Sequence, residues 1–342
     1  MSIENLLQRE RSLKKIGGGK MDTQQFDALI IGFGKAGKTL AVALANAKKK
    51  VALVERSPKM YGGTCINIAC IPTKVLVNAA EHHQSFDEAM AHKTTVVARL
   101  NEKNYHMLAD RETVSVIEGE ASFVDDRTVK VVAGNDDLVV SAPQIFINTG
   151  AESIIPDIPG VDKPFVYTST ELLDRMTQPK QLAIIGGGYI GLEFASTYAK
   201  LGTKVTVFER GDALLAREDP AIARAATEAL QTQGIEIVFS VDVTAIEGES
   251  TATIRTVNHD DYAGYDAVLM ATGRRPATMS LNLPAAGVAT DERGAIVVDE
   301  TLRTSRSHIW AMGDVTGGPQ FTYASLDDFR IVRSQLLGDG LY

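Results

Sequence analysis

The 342-residue sequence predicts an α/β chain in which one strand–turn–helix–strand unit occurs twice. Two observations predict it. The first is local. An apolar run over residues 26–31, read as a buried strand, leads into Gly32-Phe33-Gly34-Lys35-Ala36-Gly37. A helical stretch over 38–49 follows, then a second strand over 51–54 that ends at Glu55. Glycines at this spacing make a tight turn, let a pyrophosphate approach the backbone and let helix and strand pack. The helix N-terminus attracts the phosphates. Glu55 lies 23 residues after Gly32, about where a carboxylate holds a ribose hydroxyl. The second observation is the repeat. Gly186, Gly188, Gly191, Lys204, Val205 and Glu209-Arg210 fall opposite Gly32, Gly34, Gly37, Lys50, Val51 and Glu55-Arg56 at one offset of 154 residues, with no gap. Two turns of purely structural purpose have no reason to share glycines, spacing and terminal acid.

Composition sets the bounds. At ~100–200 residues per domain the length fits two or three domains. The chain is 44% hydrophobic and 23% charged, as ordinary globular proteins are. A net charge of −8 excludes the basic footprint of a nucleic-acid binder. No apolar run reaches the ~18 residues of a membrane span. Residues 1–20 hold no apolar stretch followed by a cleavage site, so a cytoplasmic location is expected. That segment is polar, ends in Gly17-Gly18-Gly19-Lys20 and is read as a disordered extension without function. Met21 follows it as a second possible start.

In order after Glu55, residues 61–74 read Tyr-Gly-Gly-Thr-Cys-Ile-Asn-Ile-Ala-Cys-Ile-Pro-Thr-Lys and hold both cysteines, Cys65 and Cys70. A helix starting here and running through 75–80 is expected. Residues five apart in an ideal helix are displaced by about 7.5 Å along the axis. A disulfide needs Cα atoms within roughly 4.4–6.8 Å. A bridge therefore requires a distorted first turn, and a strained bridge is easily reduced. A helix N-terminus and a nearby cation such as Lys74 lower a thiol pKa. Spacing alone leaves two readings open: a working pair and two inert buried thiols. A polar helical region covers 81–111. Alternating runs at 114–117, 121–124, 128–132 and 138–140 are expected to form a small antiparallel meander. An apolar strand over 144–148 ends in Thr149-Gly150, and the proline-rich 155–164 is a linker. The second unit then occupies 182–210. A helix over 220–233 and strands over 235–239, 241–246, 252–257 and 267–271 follow, the last ending in Thr272-Gly273. Further strands are expected at 297–299 and 308–310, then Gly313-Asp314 and a final helix over 325–337.

Together these motifs, above all Gly-Gly-Thr-Cys65 to Cys70-Ile-Pro-Thr-Lys74, resemble the pyridine nucleotide–disulfide oxidoreductases. That family includes lipoamide dehydrogenase, glutathione reductase and mercuric reductase. The resemblance covers about 26–338. Gly-Lys38-Thr, Met60-Tyr61 and Gln320-Phe-Thr-Tyr-Ala-Ser-Leu-Asp-Asp-Phe-Arg330 resemble one branch, the bacterial reactive-chlorine-resistance flavoproteins described as hypothiocyanous acid reductases. The resemblance implies two Rossmann-like three-layer domains, the NAD domain inserted in the FAD domain. The parts would be an extension at 1–21, a first FAD-binding part at 22–152, an NAD(P)-binding domain at 153–272 and a second FAD-binding part at 273–342.

It also implies roles. Gly32, Gly34, Gly37 and Glu55 would bind the ADP half of FAD, with Gly63, Thr149 and Gly150 at the same site. Gly313 and Asp314 would hold the ribityl chain, and Thr64 and Lys74 would lie beside the isoalloxazine. Gly186, Gly188, Ile190, Gly191, Glu209, Arg210 and Gly273 would bind the nicotinamide nucleotide, with Tyr189 as a gate over the flavin and Glu193 as the partner of Lys74. Cys70 would face the flavin, and Cys65 would be the outer thiol that meets a small oxidant or disulfide substrate. Glu209 favours NADH over NADPH, since a carboxylate accepts from a 2′-hydroxyl and repels a 2′-phosphate; Arg210 would soften that repulsion.

The resemblance further implies a C-terminal domain of ~100 residues that forms a homodimer. The sequence ends at Tyr342, short of that domain. His82, His83, His92, His106, His259 and His308 lie outside the family's catalytic position and are read as surface or packing residues. Lipoamide dehydrogenase and mercuric reductase chemistry are the alternatives within the family. A non-catalytic flavin- and nucleotide-binding sensor is the alternative outside it. No metal site is expected.

Overall fold

The computed structural model describes residues 23–134, 136–258 and 260–338. The extension at 1–20 and His259 lie outside the described residues.

Two five-stranded parallel sheets carry the fold. The first runs in the order Ile309–Ala311, Ile145–Ile147, Ala28–Ile31, Val51–Glu55, Val114–Glu118. The second runs Val166–Tyr167, Ala267–Met270, Gln181–Ile185, Lys204–Phe208, Glu236–Val238. Ala28–Ile31 and Val51–Glu55 are buried at every position, as strands covered on both faces must be. The repeat seen in the glycines extends to the backbone. Ala28 pairs with Val51 and Leu182 with Val205, the same register at the same offset. The helices after the two turns, Lys35–Asn46 and Tyr189–Lys200, also begin and end at that offset.

Each sheet is the middle of three layers. Below the first, Leu29, Ile31 and Ile147 pack on Phe123, Val129 and Val131 of a small sheet. Above it, Ile30 and Phe146 pack on Leu40 and Leu44 of Lys35–Asn46. The second sheet lies between Phe194 and Tyr198 on one face and Ile246, Ile254 and Tyr265 on the other. Leu76, Ala79, Phe86 and Met90 join the core of the second unit although they precede it by a hundred residues, so the two units share apolar packing.

Several expectations are corrected. Residues 114–117 are not part of the meander. Val114–Glu118 is the edge strand of the first parallel sheet, paired with Val51–Glu55. Its outer residues are partly exposed, and the resulting alternation mimics an antiparallel strand. The meander itself is Glu120–Phe123, Thr128–Ala133 and Asp136–Ser141, extended by Thr23–Gln25, which runs parallel to the last of these. Residues 297–299 form no strand. Asp261–Tyr265 is an additional strand in the second small sheet, and Ser169–Asp174 an additional helix capped by Thr168. The final helix, Thr322–Leu337, begins three residues before its expected start. The cysteine segment is not one helix. Thr64–Asn67 and Cys70–Glu81 are separated at Ile68-Ala69, with Ala69 at φ −142° and ψ −107°. The distortion that the spacing demanded is this break. Among the described residues no helix is long and apolar enough to cross a membrane.

Candidate active site

The first glycine turn is built around Asn148. Gly32 has φ +101°, and a Cβ there would collide with the Asn148 carbonyl. The Asn148 amide oxygen accepts from Gly37 N at 2.9 Å, and its Nδ2 donates to the Met312 carbonyl at 2.6 Å. One side chain thus ties the turn to the strand end that presents Gly313 and Asp314. Glu55 accepts from Phe33 N at 3.0 Å and from Ser57 N at 3.2 Å. Burial pushes its carboxyl upward, and these backbone amides pull against it. Glu209 does the same in the second unit, accepting from Gly187 N at 2.6 Å and Gly211 N at 2.7 Å. Each acid therefore fastens its own glycine turn. Each carboxylate oxygen keeps a second acceptor direction for a ligand hydroxyl.

A cleft of about 680 Å³ opens over the first turn. Gly32, Gly34, Gly63, Thr64, Thr149 and Gly150 line it, with Glu55, Asp314 and both cysteines. Burial pushes the Asp314 carboxyl upward while Arg274, also on the cleft, pulls it down. Thr149 donates to the Ala277 carbonyl at 2.8 Å. Gly313 N donates to Asp328 at 2.6 Å, which fixes the loop bearing Asp314. Side-chain-free backbone at a helix N-terminus, buried acceptors and an apolar floor fit a dinucleotide. Gly63 has φ +81°, and a Cβ there would lie 2.8 Å from Gly34 Cα, so glycine lets the cysteine segment close over the turn.

Both cysteines line this cleft. Both thiols are free, Cys65 half-buried and Cys70 exposed. Cys70 Sγ is 3.8 Å from the Thr322 hydroxyl. Cys70 opens the 12-residue helix, so the N-terminal field acts on it. Cys65 lies in the preceding four-residue turn. Burial pushes the Cys65 thiol up, followed by its hydrogen bond with Cys70, while Thr322 and Lys38 pull it down.

Among the charges that act on Cys65, the cation is Lys38; Lys74, expected as a cation near the thiols, contributes none. Lys74 forms an ion pair with Glu193 at 2.5 Å, bridging the two units as the resemblance implied. It stands outside the residues that line the cleft. Lys38 is buried, and its ammonium donates to the Gly62 carbonyl at 3.0 Å and to Asn104 Oδ1 at 2.7 Å. A second clamp lies alongside. Asn67 Nδ2 donates to the carbonyls of Tyr61 at 3.0 Å and Gly63 at 2.9 Å, and Asn101 donates to Asn67 Oδ1 at 3.0 Å. Asn101 and Asn104 lie on Phe86–Ala109, a helix opened by the Ser85–Glu88 capping box. Sequence reasoning missed Asn67, Asn101, Asn104, Asn148 and Thr322 as site residues. Lys38 and Thr322 were noticed only inside motifs.

In the second unit Gly186 has φ +113°, and Gly191 is packed against its carbonyl. Gly188 faces open space and Ile190 packs on the second core. Gly273, at φ +125°, follows Ala267–Met270 as Gly150, at φ +74°, follows Ile145–Ile147. The Tyr189 hydroxyl donates to Glu218, and its ring meets Phe321 edge-on at 5.8 Å. Phe321 precedes Thr322, so Tyr189 reaches from the second unit to the neighbour of a residue that touches sulfur. Arg210, expected to soften Glu209, instead lies 3.9 Å from Asp242.

The chain is similar to known proteins in sequence and in fold. Residues 26–328 match the family model described as pyridine nucleotide-disulphide oxidoreductase. The chain is 50% identical over 317 residues to the probable pyridine nucleotide-disulfide oxidoreductase RclA of Escherichia coli (strain K12), covering 92% of this chain and 72% of that protein. It is 36% identical over 333 residues to a mercuric reductase of Staphylococcus aureus, covering 92% of this chain and 60% of that one. The solved Cu(II) complex of the HOCl-induced flavoprotein disulfide reductase RclA from Escherichia coli superposes with a TM-score of 0.91 at 50% identity, covering 93% of this chain and 72% of that one.

Proposed function

The chain belongs to the pyridine nucleotide-disulphide oxidoreductase family, FAD-dependent enzymes that draw on NAD(P)H, and on that premise we propose that it reduces a small thiol oxidant such as hypothiocyanous acid at Cys65 and Cys70, at the expense of NADH. The observation that carries this reading is that both cysteines line the glycine-floored cleft, on a segment whose helix is joined to the second unit through Lys74 and Glu193. FAD, when bound, supplies the two-electron exchange between the nicotinamide and the sulfur pair. Gly32, Gly34, Gly37 and Glu55 hold its adenosine end, and Gly313 with Asp314 its ribityl chain. Gly186, Gly188, Gly191 and Glu209 hold the nicotinamide nucleotide. The Glu209 carboxylate favours NADH, because it accepts from a 2′-hydroxyl and repels a 2′-phosphate. A homodimer, as is typical of the family, is part of this proposal.

The sulfur steps balance. The Cys65 thiolate attacks the sulfur of hypothiocyanous acid, forming Cys65–S–SCN and releasing hydroxide. The Cys70 thiolate attacks Cys65 Sγ, forming the disulfide and expelling thiocyanate. One oxidant and two thiols thereby give one disulfide, one thiocyanate, one water and one proton. Thr322 stands where its hydroxyl can donate to either thiolate. The test is Cys65→Ser assayed by NADH oxidation at 340 nm with a hypothiocyanite source and, separately, with oxidised lipoamide. Turnover is expected to vanish while FAD is retained. Undiminished turnover in Cys65→Ser, or a specificity constant that favours NADPH, counts against the assignment.

A further inference from the structure

Lys38 has no place in the scheme above, yet the chain keeps it at a cost. It lies in the first turn of Lys35–Asn46, directly after the third glycine, and is 7% exposed. Its hydrogen-bond partners, the Gly62 carbonyl and the Asn104 amide oxygen, are both neutral. Burial, with Lys35 adding to it, pulls its pKa down to about 8. A methionine fills similar space without desolvating a charge. The cost of the charge is offset where the charge is used.

The surroundings indicate the use. Gly62 and Gly63, with φ of +100° and +81°, form the turn that delivers Cys65 into the cleft. A Cβ on Gly62 would stand 3.0 Å from the Asn104 side chain, so turn, amide and ammonium form one packed unit. The charged and titratable groups that bear on Cys65 are Cys70 from the following helix and Lys38 from the nucleotide helix. Lys38 is faced by Lys35 on its own helix and by Cys65. The helix packed against it, Phe86–Ala109, presents the uncharged Asn104. Lys74, the other candidate cation, is engaged by Glu193.

We propose that Lys38 is a positioning residue for the sulfur pair: its ammonium pins the Gly62–Gly63 turn to Asn104 and sets a buried positive charge on the turn that leads into Cys65, where it stabilises the thiolate. The inference rests on the reading of Cys65 as the thiol that meets the oxidant. Buried among neutral partners, this charge is less screened by solvent than one on the surface. It acts on Cys65 before any substrate is present.

The experiment reads Cys65 alone. In FAD-loaded Cys70→Ser the one remaining thiol is free without reduction by NADH. Its alkylation rate by iodoacetamide is read at pH 7, below the Lys38 pKa of about 8, so that the ammonium is charged. Adding Lys38→Met lowers that rate about three- to tenfold. Asn104→Asp keeps the packing but sets a carboxylate against the ammonium, and it lowers the rate in the same direction. Lys38→Arg keeps the charge and returns the rate to that of the parent. Folding of each variant is followed by thermal melting and FAD stoichiometry, and either neutralising variant alone decides if the other does not fold. A rate at pH 7 unmoved by neutralisation, or lowered as far by Lys38→Arg as by Lys38→Met, overturns the proposal. Neither result depends on turnover. Failure of the enzymatic reading would appear instead as NADH oxidation that survives Cys65→Ser.

Discussion

At the scale of single residues, the site is held by side chains whose cost is visible. Lys38 makes a prediction independent of catalysis. Its folded pKa of about 8 lies below the 10.5 of a free lysine. The unfolded chain therefore binds more protons between those values, and stability rises with pH across that window. Below about pH 8 the penalty is fully present; as the unfolded lysine deprotonates it is relieved. The relief amounts to at most about 3 kcal/mol. Urea melts of parent and Lys38→Met across this window check it: the parent gains stability with rising pH relative to the variant, and parallel curves refute it. The residues legible in the sequence were those whose type alone dictates geometry. Gly32 and Gly186 declare a positive φ, and Glu55 and Glu209 end strands after such turns. Asn148 was not legible. It bonds Gly37 across 111 residues and the Met312 carbonyl across 164, and nothing local distinguishes it from a strand-end asparagine. Lys74 was recognised and its pairing with Glu193 anticipated, but the cation that acts on Cys65 is Lys38.

At the scale of elements, the broken helix around the cysteines was predictable because two covalent requirements conflict: an ideal helix separates Cys65 from Cys70, and a bridge needs them close. What holds the break in place was not predictable. Asn67 fastens the carbonyls of Tyr61 and Gly63 and is itself fastened by Asn101, one helical turn from Asn104. Asn101 also donates to the Pro58 carbonyl at 3.1 Å. Removing it in Asn101→Ala leaves a buried amide oxygen on Asn67 without that donor, a loss of about 1–3 kcal/mol. A chemical denaturation midpoint lowered by that much, with faster FAD release, is the expected outcome; an unchanged midpoint would show that the clamp is idle. Strand errors had a common cause. Val114–Glu118 alternates because it is an edge, not because it is antiparallel. Asp261–Tyr265 was passed over because Asp261 and Gly264 are poor strand formers, and only pairing with Ala252–Thr256 makes it one.

At the scale of the whole molecule, the duplicated unit explains how a short list of motifs organises so much chain. Four strands of each sheet follow the same order, differing only in the edge strand, and both sheets place their glycine turn beside a Thr-Gly that follows the neighbouring strand. Two of the contacts that join the copies lie next to the site. Tyr189 meets Phe321 above the cleft, and Glu193 meets Lys74 beside the sulfur-bearing helix. The second joint separates position from stability. The Lys74 side chain is 70% exposed and that of Glu193 31%. Solvent therefore screens the pair, and it contributes no more than about 1 kcal/mol to folding. What binds the units thermodynamically is the shared apolar core of Leu76, Phe86, Leu192 and Tyr198. Glu193→Gln, which keeps the shape and removes the charge, should therefore leave the melting temperature nearly unmoved. If the pair sets the approach of the nicotinamide unit to the sulfur-bearing helix, kcat for NADH-driven reduction falls about tenfold, equivalent to about 1.4 kcal/mol in the barrier. Thermal melts and steady-state kinetics on one preparation decide between the roles. A fall in both together makes the bridge a folding contact, and a fall in kcat alone makes it the joint through which one nucleotide unit serves the other.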